Sequence, residues 1–193
     1  MNEQHDPIEL LAAIEKAYPT PVRLEFLEGV PVVSPTPDHM HNKGLLKLGS
    51  QLLSAGIDEV GTNTGFRFAE GEGDGTVALV IPDLYVLRRP LTDLDEAYRG
   101  AHGGWLPIGT LALAGEVTSS NHETDTGPKY RTYAAAGVPV YLLVHRARGF
   151  AYAFSEPVPE EKRYEVSVEV KLGEPLPLPA PYPVLDTSVF LAR

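Results

Sequence analysis

At 193 residues and 20.9 kDa, with 43% hydrophobic and 22% charged residues, the chain has room for one domain with a sizeable core and is too apolar for wholesale disorder. It contains no cysteine, which excludes disulfides, thiolate metal centres and cysteine nucleophiles, and its formal charge of −10 disfavours loose electrostatic binding to nucleic acid. No apolar run approaches the roughly 18 residues that cross a bilayer, and the opening MNEQHDPIEL lacks the apolar stretch of a signal peptide, so a soluble cytoplasmic chain with no membrane partner is expected.

In chain order, DPIELLAAIEKAY has helical spacing with Asp6 as N-cap and Pro7 at the first helical position. VRLEFLEGVPVV alternates and turns, which predicts a hairpin around Glu28 and Gly29. From His41, HNKGLLKLGSQLLSA places Leu45, Leu48 and Leu52 on one helical stripe ending near Gly56. Strand-like runs follow: NTGFRFA, TVALVIPDLYVL, GTLALAGEV, VPVYLLVH, GFAYAF and YEVSVEVK, with a short helix, GPKYRTYAAAG, between the third and fourth. The acidic EGEGDG precedes a strand, where a phosphate cradle should follow one, and so predicts a hairpin loop. The proline-rich LGEPLPLPAPYPVLD predicts an extended strap, over about 172–193, lying on a single domain of residues 1–193. Strands clustered before a crossover helix predict an α/β fold with a mixed sheet.

Two carboxylates interrupt apolar segments: Asp83 behind Pro82, and Glu116 at the end of GTLALAGEV. Each is costly to bury ionised unless paired or bound to a metal. Within about 4 Å of one another, at an effective dielectric near 20, they would repel by about 4 kcal/mol, enough to raise one pKa or recruit a hard divalent cation; two solvated strand ends are the plainer alternative. Lys129 sharpens the choice. With Asp125 or Thr126 as N-cap and Pro128 in the first turn, Lys129 falls near the positive end of the helix, the unfavourable end for a cation. A surface pair between Asp125 and Lys129 is the competing explanation.

The order Pro82-Asp83, then EVTSS from Glu116, then DTGPKYRTYAAAGVPVYLLV from Asp125 resembles the bacterial Uma family of restriction-endonuclease-like proteins, within the PD-(D/E)XK nuclease superfamily. RLEFLEGVPVVSPTPDHMH is similar to that family's entry segment, with Glu25 matching an acid before the turn glycine and His41 opening the first long helix. The similarity covers about residues 20–155. It implies a restriction-endonuclease-like core, a mixed central sheet flanked by helices with an N-terminal helix and hairpin, in which Asp83 and Glu116 are Mg²⁺ ligands (Mn²⁺ substituting) and the Val117 carbonyl completes the shell. Thr118 stands where the superfamily motif has lysine, and Lys129 matches the lysine that the family displaces onto the next helix. Asp83, Glu116 and Lys129 are then the catalytic set, with Glu25, His41, Thr118 and Asp125 in support. The usual Ser-Pro-Ser is Ser119, Ser120 and Asn121 here, and a frequent aspartate after the fourth strand is His145.

The resemblance implies a metal-dependent endonuclease cutting DNA phosphodiester bonds, acting as a homodimer so that each copy addresses one strand. Two other classes stay open: a nuclease-fold protein that binds nucleic acid or a protein partner without cutting, and a hydrolase of a small phosphorylated substrate. A basic groove could draw on Lys43, Lys47 and Arg67, on Arg88 with Arg89, or on Arg146 with Arg148. His39 with His41 has zinc-like spacing but lacks a third ligand. His122 reads as a loop residue, and Trp105 as packing beneath a loop.

Overall fold

Local signals decide the N-terminal half. In the computed structural model, which describes residues 6–34, 36–70, 75–118 and 122–191, Asp6 caps α1 (Pro7–Ala17) by accepting the Ile8 N–H at 3.0 Å. β1 (Arg23–Leu27) and β2 (Val30–Ser34) form the hairpin, and Glu28 and Gly29 between them take positive φ values of 51° and 84°, as a tight two-residue hairpin turn requires. α2 (His39–Ser54) starts two residues earlier than expected because Asp38 caps it, accepting the His41 N–H at 2.8 Å.

The segment expected as one strand, TVALVIPDLYVL, is two. β5 (Thr76–Val80) pairs with β4 (Phe66–Ala69), and the EGEGDG loop joins this antiparallel pair; its residues 71–74 lie outside the described residues. The chain then leaves that sheet at Ile81–Asp83 and enters a different one as β6 (Leu84–Leu87), which pairs with β3 (Val60–Gly61). Pro82 has no N–H to give a ladder, so the break falls where the sequence cannot continue a strand. α3 (Asp93–Ala101) has no counterpart among the expected elements; Thr92 and Asp95 close a reciprocal capping box at its start.

The remaining strands and helices, besides three short 3-10 turns, are β7 (Leu106–Pro107), β8 (Leu111–Val117), α4 (His122–Thr124), a π turn (Asp125–Lys129), α5 (Tyr130–Ala135), β9 (Val140–His145), β10 (Phe150–Val158), β11 (Arg163–Lys171), β12 (Pro175–Leu176) and β13 (Leu185–Asp186). The expected mixed sheet is therefore two mixed sheets, ordered β2-β1-β5-β4-β7 and β11-β10-β9-β8-β6-β3. β8 and β9 run parallel, joined by the helical crossover, and β4 and β7 are parallel in the first sheet.

Alternation along β8 and β9 divides the core. Ala114, Tyr141 and Leu143 meet Leu27, Phe66 and Val80 of the first sheet together with Tyr133 and Ala134 of α5. Leu113, Val140, Leu142 and Val144 face Leu45, Leu48 and Leu52 of α2 on the other side. Leu11 of α1 packs on Leu24 and Leu79, with Trp105 against the same cluster, so Trp105 packs a loop as its sequence context predicts. The proline-rich strap is more than a cover: Leu176 and Leu185 are fully buried in the α2 layer, and the Gln51 amide brackets Asp186, donating to its carbonyl at 3.1 Å and accepting its N–H at 2.6 Å.

Close packing of the strap on α2 also explains a glycine inside that helix. A Cβ at Gly44 would overlap the Phe190 ring. Alanine there gains helix propensity of about 1 kcal/mol. The overlap outweighs it, since overpacking typically costs about 1–3 kcal/mol. Gly44→Ala should therefore lower stability in urea, and Gly44→Ala with Phe190→Ala should cost less than the sum of the single changes; additive losses would mean that the two residues do not touch.

Candidate active site

The site lies where the two sheets diverge. β1 contributes Arg23 and Glu25, two residues apart and so on one face of the strand; β8 contributes Glu116 and Val117; the break between β5 and β6 contributes Asp83. The π turn adds Asp125 and Lys129, and the first turn of α2 adds His41. These residues, with Ser34, Pro37 and Thr124, line a cavity of about 30 Å³, room for one or two waters or an ion.

Lys129 is the centre of it. Its Nζ is 3.0 Å from Glu116 Oε1 and 3.1 Å from Glu25 Oε1, with Asp125 Oδ1 at 3.8 Å, and it donates to the Ile81 carbonyl at 3.4 Å. The expected pair with Asp125 exists, but as one member of a buried cluster rather than on the surface. The expected position at a helix start does not hold. Helix begins at His122, so Lys129 is interior, inside a π turn, and Asp125 is not an N-cap. Pro128 accounts for the π turn: it lacks the N–H for an ordinary helical bond and its ring collides with the carbonyl four residues back, which a widened turn relieves. Lys129 thus reaches the site from a bulge, and its partners are carboxylates rather than the helix terminus.

Each acid is held differently. Glu25 Oε1 accepts the Ile81 N–H at 2.6 Å and its Oε2 accepts Ser34 Oγ at 2.7 Å, fixing the first sheet to the strand break. Glu116 Oε1 also accepts the Tyr133 hydroxyl at 2.8 Å. Asp83 Oδ2 accepts the Val117 N–H at 3.0 Å, and its Oδ1 is 3.4 Å from an Arg23 NH1 that also donates to Asn63. Arg23 Nη2 donates to the Ile81 carbonyl, and its buried Nε has no hydrogen-bond partner among the described residues. His41 Nε2 lies 3.4 Å from Asp83 Oδ2, an electrostatic contact without hydrogen-bond geometry, and neither ring nitrogen has a hydrogen-bond partner among the described residues.

The electrostatics show more acid than the cations can neutralise. Burial pushes Glu116 well up despite Lys129, with Asp83, Asp125 and Glu25 adding to the rise. Burial, likewise opposed by Lys129, raises Asp125 to about 6. Lys129 moves up as well: burial alone would lower it, but Glu116, Glu25, Asp125 and Asp83 together hold the proton. An isolated ion pair would lower the acid as it raised the base, so the common direction marks one ammonium shared among several carboxylates. Asp83 escapes. Burial pushes it up, but the Lys129 charge, the Val117 N–H and the His41 imidazole, close at 3.4 Å though not hydrogen-bonded to it, hold it below the usual carboxylate range. The repulsion that the sequence places on Asp83 and Glu116 together therefore falls on Glu116.

Set against the sequence expectations, Asp83, Glu116, Lys129, Glu25, His41 and Asp125 converge, and Val117 lines the cavity beside them. Thr118 does not join: it is buried, and its Oγ1 accepts the Arg146 N–H at 3.1 Å, tying β8 to the end of β9. His145 lies at the end of β9, lining a separate cavity with Tyr152 and Phe154. His39 is exposed while His41 is buried, so the two do not pair on a metal. Three of the cations proposed for a basic groove are engaged within the chain: Arg67 is buried against Thr76 and Tyr98, Arg89 pairs with Asp95, and Arg146 pairs with Asp38. Ser119, Ser120 and Asn121, and the side chain of His122, lie outside the described residues. Arg23 and Tyr133 were not anticipated, although spacing held the signal: Arg23 shares the face of Glu25, and Tyr133 is four residues beyond Lys129.

Whether these residues suit a divalent ion is a question of charge and donor type. Glu25, Asp83, Glu116 and Asp125 place four carboxylates around two permanent cations, Arg23 and Lys129, so the cavity has negative charge to spare. Among the described residues no three acids or histidines stand as a ready metal cage. A hard ion that keeps most of its waters and takes one or two carboxylates needs no such cage, and Asp83 with Glu116 meets that requirement.

An α/β core of mixed sheets, with two acids and a lysine meeting at a break between strands, defines a protein of the restriction-endonuclease-like class. The chain belongs to the Uma2 family, described as "Putative restriction endonuclease", which matches residues 9–189. Among solved structures it is similar to one titled a "putative nuclease belonging to DUF820" from Anabaena variabilis ATCC 29413, with a TM-score of 0.61 and 14% identity over 93% of this chain and 96% of that one. No curated protein matches.

The displaced proton equilibria make a stability prediction. Asp125 titrates near 3.8 when unfolded and about 6 when folded, so its protonated form is favoured by folding. That contribution is complete below pH 4 and is lost as the pH rises through 6, by on the order of 3 kcal/mol. Asp125→Asn, which resembles the protonated acid, should be more stable than the parent at pH 8 and equal to it at pH 4. Urea melts at the two pH values check this, and a pH-independent difference would count against it.

Proposed function

We propose that the protein is a metal-dependent endonuclease that hydrolyses DNA phosphodiester bonds. One observation carries this reading: a buried lysine held 3.0 Å from Glu116, in a cavity that also holds Asp83 and an excess of carboxylate. Membership of a nuclease-like family supports the reaction class.

Asp83 and Glu116 would hold Mg²⁺ or Mn²⁺, with the Val117 carbonyl beside them. Such an ion supplies a bound water of lowered pKa and positive charge facing the phosphate. The carboxylates around Lys129 hold its proton, which argues against a general-base role. Its part is to donate hydrogen bonds, orienting the attacking water and offsetting the negative charge that builds on the phosphoryl oxygens. As the new P–O bond forms, the bond to the leaving oxygen breaks, the water's proton passes to a carboxylate of the cavity, and the leaving oxygen takes a proton from solvent to depart as an alcohol. Glu25 positions Lys129 and the Ile81 peptide, and Tyr133 holds the Glu116 oxygen that Lys129 also uses.

Supercoiled plasmid incubated with Mg²⁺ or Mn²⁺ should be nicked or linearised, and Glu116→Gln and Lys129→Met should each lower the rate by at least about 100-fold. A folded parent that leaves plasmid intact would refute the proposal and leave the non-cutting and small-substrate readings. Ion binding is separable from cutting. At about a hundredfold over Kd, Mn²⁺ should stabilise the parent by roughly 2.7 kcal/mol, or about 5 to 11 °C in Tm, and Asp83→Asn should lose most of that rise. Melts in EDTA and in Mn²⁺ measure it.

A further inference from the structure

One group in the cavity is unused by this reading. His41 sits in the first turn of α2, with its backbone N–H on Asp38 at 2.8 Å and Asp38 in turn held by Arg146 at 2.7 Å, so helix, cap and the end of β9 fix its backbone together. It continues the core-facing stripe of Leu45, Leu48 and Leu52, and it is 4% exposed. Buried polar atoms almost always find partners, and a neutral imidazole brings one donor and one acceptor, yet among the described residues both of its ring nitrogens lack one. The nearest acidic atom, Asp83 Oδ2, stands 3.4 Å from Nε2, and Asp83 already accepts the Val117 N–H.

That separation is long for a hydrogen bond and short for unrelated groups. It suits two adjacent ligands of one ion: donors about 2.1 Å from a shared metal lie roughly 3.0 Å apart at octahedral angles and 3.4 Å apart at tetrahedral ones. We propose that His41 Nε2 is a nitrogen ligand of the ion held by Asp83, making a mixed nitrogen and oxygen site selective for a divalent first-row transition ion such as Mn²⁺ over Mg²⁺. Imidazole suits such ions, whereas Mg²⁺ favours oxygen alone. The inference deepens the metal-dependent reading of the site and rests on it, but it concerns ion identity and needs no nucleic acid.

The test uses the full chain with Mn²⁺ or Mg²⁺ alone. By calorimetric titration the parent should bind Mn²⁺ at least about tenfold more tightly than Mg²⁺, and His41→Gln should lose about 10- to 100-fold for Mn²⁺ while its Mg²⁺ affinity changes by less than about threefold. Pulsed electron paramagnetic resonance on Mn²⁺-loaded protein carrying ¹⁵N-histidine should show a directly bonded nitrogen in the parent and none in His41→Gln. The parent spectrum stands alone if that variant fails to fold. Mn²⁺ bound without nitrogen coupling, equal losses for both ions, or no ion binding at all would each overturn the proposal. Plasmid cutting without nitrogen coupling removes this inference and leaves the nuclease reading; nitrogen coupling without cutting does the reverse.

Discussion

A single buried ammonium joins the parts of this fold that would otherwise repel. Lys129 is within 3.1 Å of acids from two different sheets, Glu25 on β1 and Glu116 on β8, and it also touches the Ile81 carbonyl at the strand break between those sheets. Removing one partner of a buried pair typically costs about 3 to 5 kcal/mol, because the charge left behind has neither water nor a counterion. A domain of this size is stable by only about 5 to 15 kcal/mol, so the cluster is a large share of the whole. Site and fold are therefore the same object here.

The strand break follows from the same constraint. Pro82 ends one ladder, the freed Ile81 N–H goes to Glu25, and its carbonyl receives Lys129 and Arg23. A backbone that leaves a sheet must satisfy its polar groups elsewhere, and here the side chains of the site do so. The π turn plays a comparable part on the other side of the cavity. Pro128 forbids the ordinary helical bond, and the widened turn delivers both Asp125 and Lys129 to the interior.

Much of this was legible in the residues. Acids set inside apolar runs are rare enough to mark Asp83 and Glu116, and family spacing brought in Lys129, Glu25, His41 and Asp125. Helix caps at Asp6 and the turn at Glu28 and Gly29 were readable because their signals are local. What could not be read depends on contacts distant in sequence. TVALVIPDLYVL scans as one apolar strand, and only the second sheet shows that it is two. Leu176 and Leu185 sit in a proline-rich stretch without periodicity, so nothing local reveals that they complete the core under α2. The expected place of Lys129 at a helix start failed because Pro128 reads as a first-turn proline, whereas helix already begins at His122 and Pro128 widens its interior into a π turn.

Six arginines, at 23, 89, 99, 131, 146 and 163, are paired with acids of the same chain, and Arg67 is buried against a hydroxyl pair. Cationic side chains already neutralised within the protein displace few of the counterions condensed on a polyanion. Those seven side chains would add little to that release if a nucleic acid bound here, and the plot of log affinity against log salt would be shallower by their share. Recognition would then lean more on shape than on counterion release.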